Sequence, residues 1–226
     1  MAPGRRVVLL DPRDVKGRGV QNRDLVGLMT HWTPTAQPKP EPVRFGDMAE
    51  YAKQILADAF GRVRELVIDL TEGLTDEIAT YRPDLEANSI AWLLWHLARG
   101  QDHQVADLAQ VEQVWPQWRE RFGLPFDKWA TGYGQSPKEA AAVRVSGDLL
   151  SDYHGDVHEL TLRYLDGITA DELDRIVDTG WDPPVTAAVR LVSVIGDTME
   201  HAGQAGYVRG LAKRRDQAWQ PSAADD

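Results

Sequence analysis

Four stretches of this chain repeat apolar residues at steps of three and four over several helical turns, and that period leaves little choice of fold. The first runs from Asp47 to about Glu72 through Met48, Tyr51, Ile55, Ala59, Val63, Leu66, Val67 and Leu70, and Gly73 beside its end suits a C-cap. Asn88 or Ser89 caps the second, which carries Ile90, Leu93, Leu94, Leu97, Val105 and Leu108 on one stripe. The third opens at Ser146 and passes through Leu149, Leu150, Tyr153, Val157, Leu160, Leu162, Tyr164 and Leu165 to Gly167. Thr186 caps the fourth, through Leu191, Val194, Ile195, Met199, Ala202, Tyr207 and Leu211. Lys213, Arg214 and Arg215 at its end complement the helix dipole. Each stripe must be buried against another helix, and no convincing strand or repeat competes. The expected fold is an all-α four-helix bundle.

The connections are unequal. Residues 1–44 lack sustained periodicity and end in Pro34, Pro38, Pro40 and Pro42, so they read as an extended or disordered tail before a domain at 45–215. Residues 216–226 read as a frayed end. Trp115 to Pro137 is a long connection between the second and third helices, rich in aromatic residues, Gly and Pro. It reads either as a functional segment or as an Ω-loop sealing one end of the bundle. Thr169-Ala170-Asp171-Glu172 is a capping box for a short helical turn, and Trp181-Asp182-Pro183-Pro184 reads as rigid and extended.

A net charge of −10 argues against unaided binding to nucleic acid or anionic lipid. No apolar run approaches the roughly 20 residues that span a bilayer, and Val7 to Leu10 is too short for a signal peptide core. The cytoplasm is the expected compartment. The chain has no cysteine, which removes disulfides, thiolate metal sites and a cysteine nucleophile. Any metal must rest on His, Asp and Glu, and any thiol chemistry must bring its sulfur from a small molecule.

Asp197 and His201 lie one turn apart on the fourth helix, on a face that also carries Val194, Ala205 and Val208. An ionised carboxylate turned inward there costs several kcal/mol unless a cation compensates. His96, in the apolar run Trp92-Leu93-Leu94-Trp95-His96-Leu97, is the candidate third ligand, with Gly100 leaving space one turn later. The bland alternatives are a hydrogen-bonded core histidine and a helix-surface ion pair. His154 and His158 share the spacing of a two-histidine metal grip, but no glutamate sits between them as in a zinc protease. His154 is expected to be exposed, and His158 is a minor candidate for the site. Asp102 and His103 are expected in solvent. Gln204, one turn beyond His201, is a candidate to orient that histidine or a bound molecule. Trp92 and Trp95 either line the site's mouth or belong to the core.

The run Asn88-Ser89-Ile90-Ala91-Trp92-Leu93-Leu94-Trp95-His96-Leu97 and the run from Asp197 to Leu211 resemble the DinB-like four-helix superfamily. More narrowly, Arg121-Phe122-Gly123-Leu124-Pro125-Phe126-Asp127 and Trp181-Asp182-Pro183-Pro184-Val185-Thr186 are similar to the actinobacterial mycothiol S-transferase branch. The resemblance covers roughly Phe45 to Lys213. It implies an up-down-down-up bundle, often dimeric, with a divalent metal at one end of the core. The family's ligand on the second helix matches His96. Its two ligands four apart on the fourth helix match Asp197 and His201. The first of these is commonly His, and Glu in the related mycothiol-dependent maleylpyruvate isomerases. Asp is one methylene shorter than Glu, so Asp197 either binds through a water or stands behind His201. The C-terminal domain of those isomerases is not present in this sequence.

The expected function is a metal-dependent thiol S-transferase joining a low-molecular-weight thiol, mycothiol by resemblance, to an electrophilic small molecule. Zinc leads the expected metals, and nickel, iron or manganese would suit the same ligands. The expected assembly is a homodimer. Two alternatives stand beside it. One is a hydrolase using the same metal, with Glu200 or Asp102 as base. The other is a non-catalytic dimeric bundle that binds a ligand.

Overall fold

A computed structural model describes residues 45–218; the expected tail at 1–44 and residues 219–226 lie outside the described part. In chain order the elements are helices α1 (Phe45–Thr71), α2 (Asp76–Ala79), α3 (Ile90–Ala109), α4 (Trp115–Phe122), α5 (Pro137–Ala140), α6 (Gly147–Asp166) and α7 (Ala170–Asp174). Strands β1 (Ile176–Asp178) and β2 (Val185–Thr186) and the helix α8 (Ala187–Ala218) complete the chain. The four long helices are those the apolar periodicity marks, and α8 continues three residues beyond the expected edge at 215.

Hydroxyl caps start α3 and α6, because the first turn has backbone donors with no partner inside the helix. Ser89 accepts from Trp92 N–H at 3.2 Å to open α3, and Ser146 accepts from Leu149 N–H at 3.3 Å to open α6. Gly73, at φ +61°, follows α1 in the left-handed conformation the sequence implied.

Contacts along the helices set their directions. Lys53 reaches Asp166 and Arg64 reaches Ser151, so α1 and α6 are antiparallel. Arg190 donates to Gln104 while His201 meets His96, so α3 and α8 are antiparallel too. Leu56 and Phe60 share a cluster with Leu191 and Val194, and Arg209 reaches the carbonyls of Asp69 and Glu72, so α1 and α8 run parallel. That leaves α3 parallel to α6. The bundle is up-down-down-up, as the resemblance implied, with α1 and α3 on opposite corners.

Four local readings are corrected. The connection after α3 is not irregular throughout: it contains α4, whose first amides are held by Asp102. Both Val114 N–H and Trp115 N–H donate to that carboxylate at 2.9 Å. Asp102 is therefore buried, not solvated. Tyr153 O–H donates to it at 2.8 Å and Arg99 pairs with it at 3.1 Å, while Arg99 also donates to Gln113 and to the carbonyl of Ala130. Four partners compensate the desolvation of the carboxylate, although burial still raises its pKa above the usual range.

Strands were not expected, yet Ile176 pairs with Thr186 and Asp178 with Val185 in an antiparallel ladder with an irregularity between. The segment is too short to show alternation in sequence. His154, expected in water, is fully buried. It lies four residues after Leu150 and three before Val157, so it shares the inward face of α6.

Candidate metal centre

His96 sits one turn after Trp92 on α3, and the antiparallel α8 brings Asp197 and His201 to the same level. One ligand atom from each of the three lies within 4.8 Å of the others. The two imidazole centroids are 4.7 Å apart at 69°, and His201 Nε2 is 3.6 Å from Asp197 Oδ1. Side chains 101 residues or more apart in the chain thus converge because α3 and α8 pack face to face.

The outer nitrogen of each ring is already occupied. His96 Nδ1 donates to the carbonyl of Thr131 at 2.6 Å, and His201 Nδ1 donates to Gln204 Oε1 at 3.0 Å. Both Nε2 lone pairs are therefore left for the space between the helices, the arrangement a metal ligand needs. Trp92 stacks on His96 at 4.6 Å and 20° and meets His201 edge-on at 6.4 Å. Its indole N–H is fixed by Gln135 Oε1 at 2.8 Å. Trp95 belongs to the core, packed on Trp115 and Phe126. Of these two tryptophans, Trp92 is the one against the histidines.

Charge is distributed accordingly. Burial pushes the His96 pKa down, outweighing the Thr131 carbonyl, so the ring is kept neutral. The His201 ring, its Nε2 3.6 Å from the carboxylate, holds Asp197 below the usual carboxylate range, and Asp197 in turn raises His201. Asp197 keeps 52% of its side chain exposed. The burial cost expected from sequence is therefore small, and a cation is not demanded on that ground. The ground that remains is convergent lone pairs.

Two imidazole nitrogens and a carboxylate oxygen suit zinc, iron, nickel or manganese. Ligand atoms around a tetrahedral zinc at bonds of roughly 2.0–2.1 Å stand about 3–3.5 Å apart. The three groups, within 4.8 Å of one another, fit with a side-chain closure of about 1–2 Å.

A cavity of ≈ 580 Å³ opens beside His96 and Asp197. Its floor includes Gly100, where an added Cβ would meet Asp197 Oδ2 at 3.6 Å. His103, expected in bulk solvent, borders this cavity, as do Trp129 and Tyr133 from the loop after α4 and Arg190 from α8. His158 is not brought to the group; its ring stacks 6.5 Å from that of His154 on α6. Glu200 is exposed on α8. Asp102, the other candidate base, has its oxygens committed to Arg99, Tyr153 and the α4 amides.

Residues that sequence reading missed are Thr131, Gly132 and Gln135. Gly132 is the tightest: at φ +101°, a Cβ there would lie 2.7 Å from His96 Nδ1. The only local signal was the pair of glycines around Tyr133.

A family model described as mycothiol-S-transferase matches residues 55–213. This chain belongs to the mycothiol-S-transferase family of DinB-like proteins. The match begins within α1 and ends within α8, and it includes α3, α6 and the three residues of the candidate centre. A crystal structure of a conserved protein from Enterococcus faecalis is similar to this mycothiol-S-transferase family member, with TM-score 0.67 and 36% sequence identity. The alignment covers 71% of this chain and 96% of that one. No curated protein sequence matches. Among the described residues of this family member, no helix is long and apolar enough to cross a membrane.

Proposed function

We propose that this protein is a metal-dependent thiol S-transferase that joins a low-molecular-weight thiol, mycothiol foremost, to an electrophilic small molecule. The observation that carries the reading is the convergence of His96, Asp197 and His201, ring nitrogens free on the inner side, beside a cavity of ≈ 580 Å³. The chemistry a divalent ion supplies in such a site is a lowered pKa for a nearby thiol, so that thiolate is present at neutral pH.

The chain's own residues do the rest. Thr131 and Gln204 fix both histidines as Nδ1–H tautomers, which keeps each Nε2 available. Trp92 closes one side of the pair and excludes water from it. The cavity holds the electrophile within reach of the sulfur. A carbon–sulfur bond forms, the leaving group departs with its electron pair, and the thiol proton passes to solvent. The absence of cysteine means the protein offers no competing thiol of its own. In this reading the protein works in the cytoplasm as a homodimer, the second resting on the family resemblance.

The test is to mix metal-loaded protein with mycothiol and a chloro-dinitrobenzene and follow the thioether. A conjugate that forms faster with protein, and not with His96→Ala or His201→Ala, is expected. No conjugate across several thiols and metals would overturn the reading. Product formed without thiol would point to hydrolysis instead.

A further inference from the structure

The antiparallel pairing of α3 and α8 makes a groove that leaves the His96–Asp197 end and runs two helical turns. On α8, Arg190 and Asp197 are seven residues apart, which places them on one face roughly 10 Å apart along the axis. On α3, His96 and Gln104 mark the same two ends. Gly100 in the middle leaves the floor open.

The far end is built from donors. Arg190 is held in place, with one terminal nitrogen donating to Gln104 Oε1 at 2.6 Å and the other to Asp178 Oδ2 at 3.2 Å. A guanidinium has five N–H groups. Those not used in these two bonds have no protein partner among the described residues, and Arg190 still borders the cavity. His103 borders the same cavity. Gln113 Oε1 is taken by Arg99, so the Gln113 amide N–H donates to His103 Nδ1 at 3.1 Å. The His103 proton therefore sits on Nε2, and His103 too offers a donor. At the rim, Trp129 and Tyr133 expose 65% and 94% of their surface. Flat apolar rings held in water at the edge of a cavity are suited to cover another ring.

We infer that this groove binds an aromatic carboxylate, its ring under Trp129 and Tyr133 and its carboxylate on Arg190 and His103. Its other end then lies at the His96–Asp197 centre. That this molecule is the electrophile rests on the thiol-transfer reading; that it binds does not. The chain as a whole is acidic, and Asp178 already offsets the charge of Arg190, so what an anion meets at this end is the set of N–H donors that Gln104, Asp178 and Gln113 leave unused on Arg190 and His103. Pinning by Gln104 and Asp178 reduces the conformational entropy lost when the anion arrives.

The test uses the full chain, zinc-loaded and metal-free, titrated calorimetrically with 4-chloro-3-nitrobenzoate and with its methyl ester, no thiol present. The acid is expected to bind about tenfold more tightly than the ester in both preparations, because the charge-assisted bond is to Arg190 and not to an ion. Arg190→Gln should abolish that ratio, and His103→Leu should reduce it. If Arg190→Gln fails to fold, the wild-type ratio and His103→Leu decide. Equal affinities, no measurable binding of the acid, a ratio unchanged in the variants, or a preference seen only with zinc would each overturn the inference. Failure of the thiol-transfer reading looks different: the acid binds through Arg190 but is never conjugated.

Discussion

The carbonyl of Thr131 lies 2.6 Å from Nδ1 of His96, a residue 35 positions earlier in the chain. That bond turns a loop into part of the candidate metal centre. It fixes which nitrogen carries the proton and which faces α8, so the candidate centre is assembled from three segments: α3, α8 and the loop after α4.

Gly132 is the residue that lets the loop come so close. Replacing it by Ala puts a Cβ 2.7 Å from His96 Nδ1 at a backbone φ of +101°. Gly132→Ala should weaken metal binding by about tenfold or more and destabilise the fold by roughly 1–3 kcal/mol. Competition with a chromophoric chelator reads the first and urea unfolding the second. Unchanged affinity would show that the loop does not position the imidazole.

Gln204 supports the other histidine from an exposed position on α8, so its removal should spare the core. Gln204→Leu is expected to lower metal affinity by about 10–100-fold with little change in unfolding midpoint. The same chelator competition checks it.

The buried carboxylate of Asp102 ties α3, α4 and α6 together through Arg99, Tyr153 and two backbone amides. Asp102→Ala leaves the Arg99 guanidinium buried without its counter-charge and should cost about 3–5 kcal/mol. Urea denaturation measures this. A loss below about 1 kcal/mol would mean water enters to replace the carboxylate.

Acid should weaken the fold through His154. Burial, then the Arg64 guanidinium and His158, hold its pKa down to about 3, against 6.5 for an ordinary histidine. The unfolded chain therefore takes up the proton first. The stability gained by a neutral His154 is whole above pH 6.5 and is lost as pH falls towards 3, on the order of 5 kcal/mol in all. The groups around it are Arg64 on α1 and His158 on α6, with Asp152 and Glu159 next to those two. Unfolding free energy measured from pH 8 to pH 4 should fall less steeply in His154→Phe than in wild type. Equal slopes would contradict this role.

The long helices and the Asp197–His201 pair were legible because both depend on local period, whereas His96, 101 residues from Asp197, stood out in its apolar run and joined them through the family resemblance. Apolar steps of three and four mark α1, α3, α6 and α8, and one helical turn links Asp197 to His201. Polar residues misled where tertiary partners reverse their usual preference for water. Asp102 looks solvated until Arg99, Tyr153 and the start of α4 are folded around it. His154 looks exposed by residue type although its position in the period of α6 faces inward. Thr131 and Gly132 carry no periodic signal at all, since their role arises only when a distant loop meets His96.

The central claim is that His96, Asp197 and His201 hold one divalent ion. Elemental analysis of the purified full chain after controlled metal loading, beside His96→Ala and His201→Ala, tests it most directly. The expected result is about one ion per wild-type chain and a severe loss in both variants. Fewer than about one ion per three wild-type chains, or equal metal content in all three proteins, would contradict it.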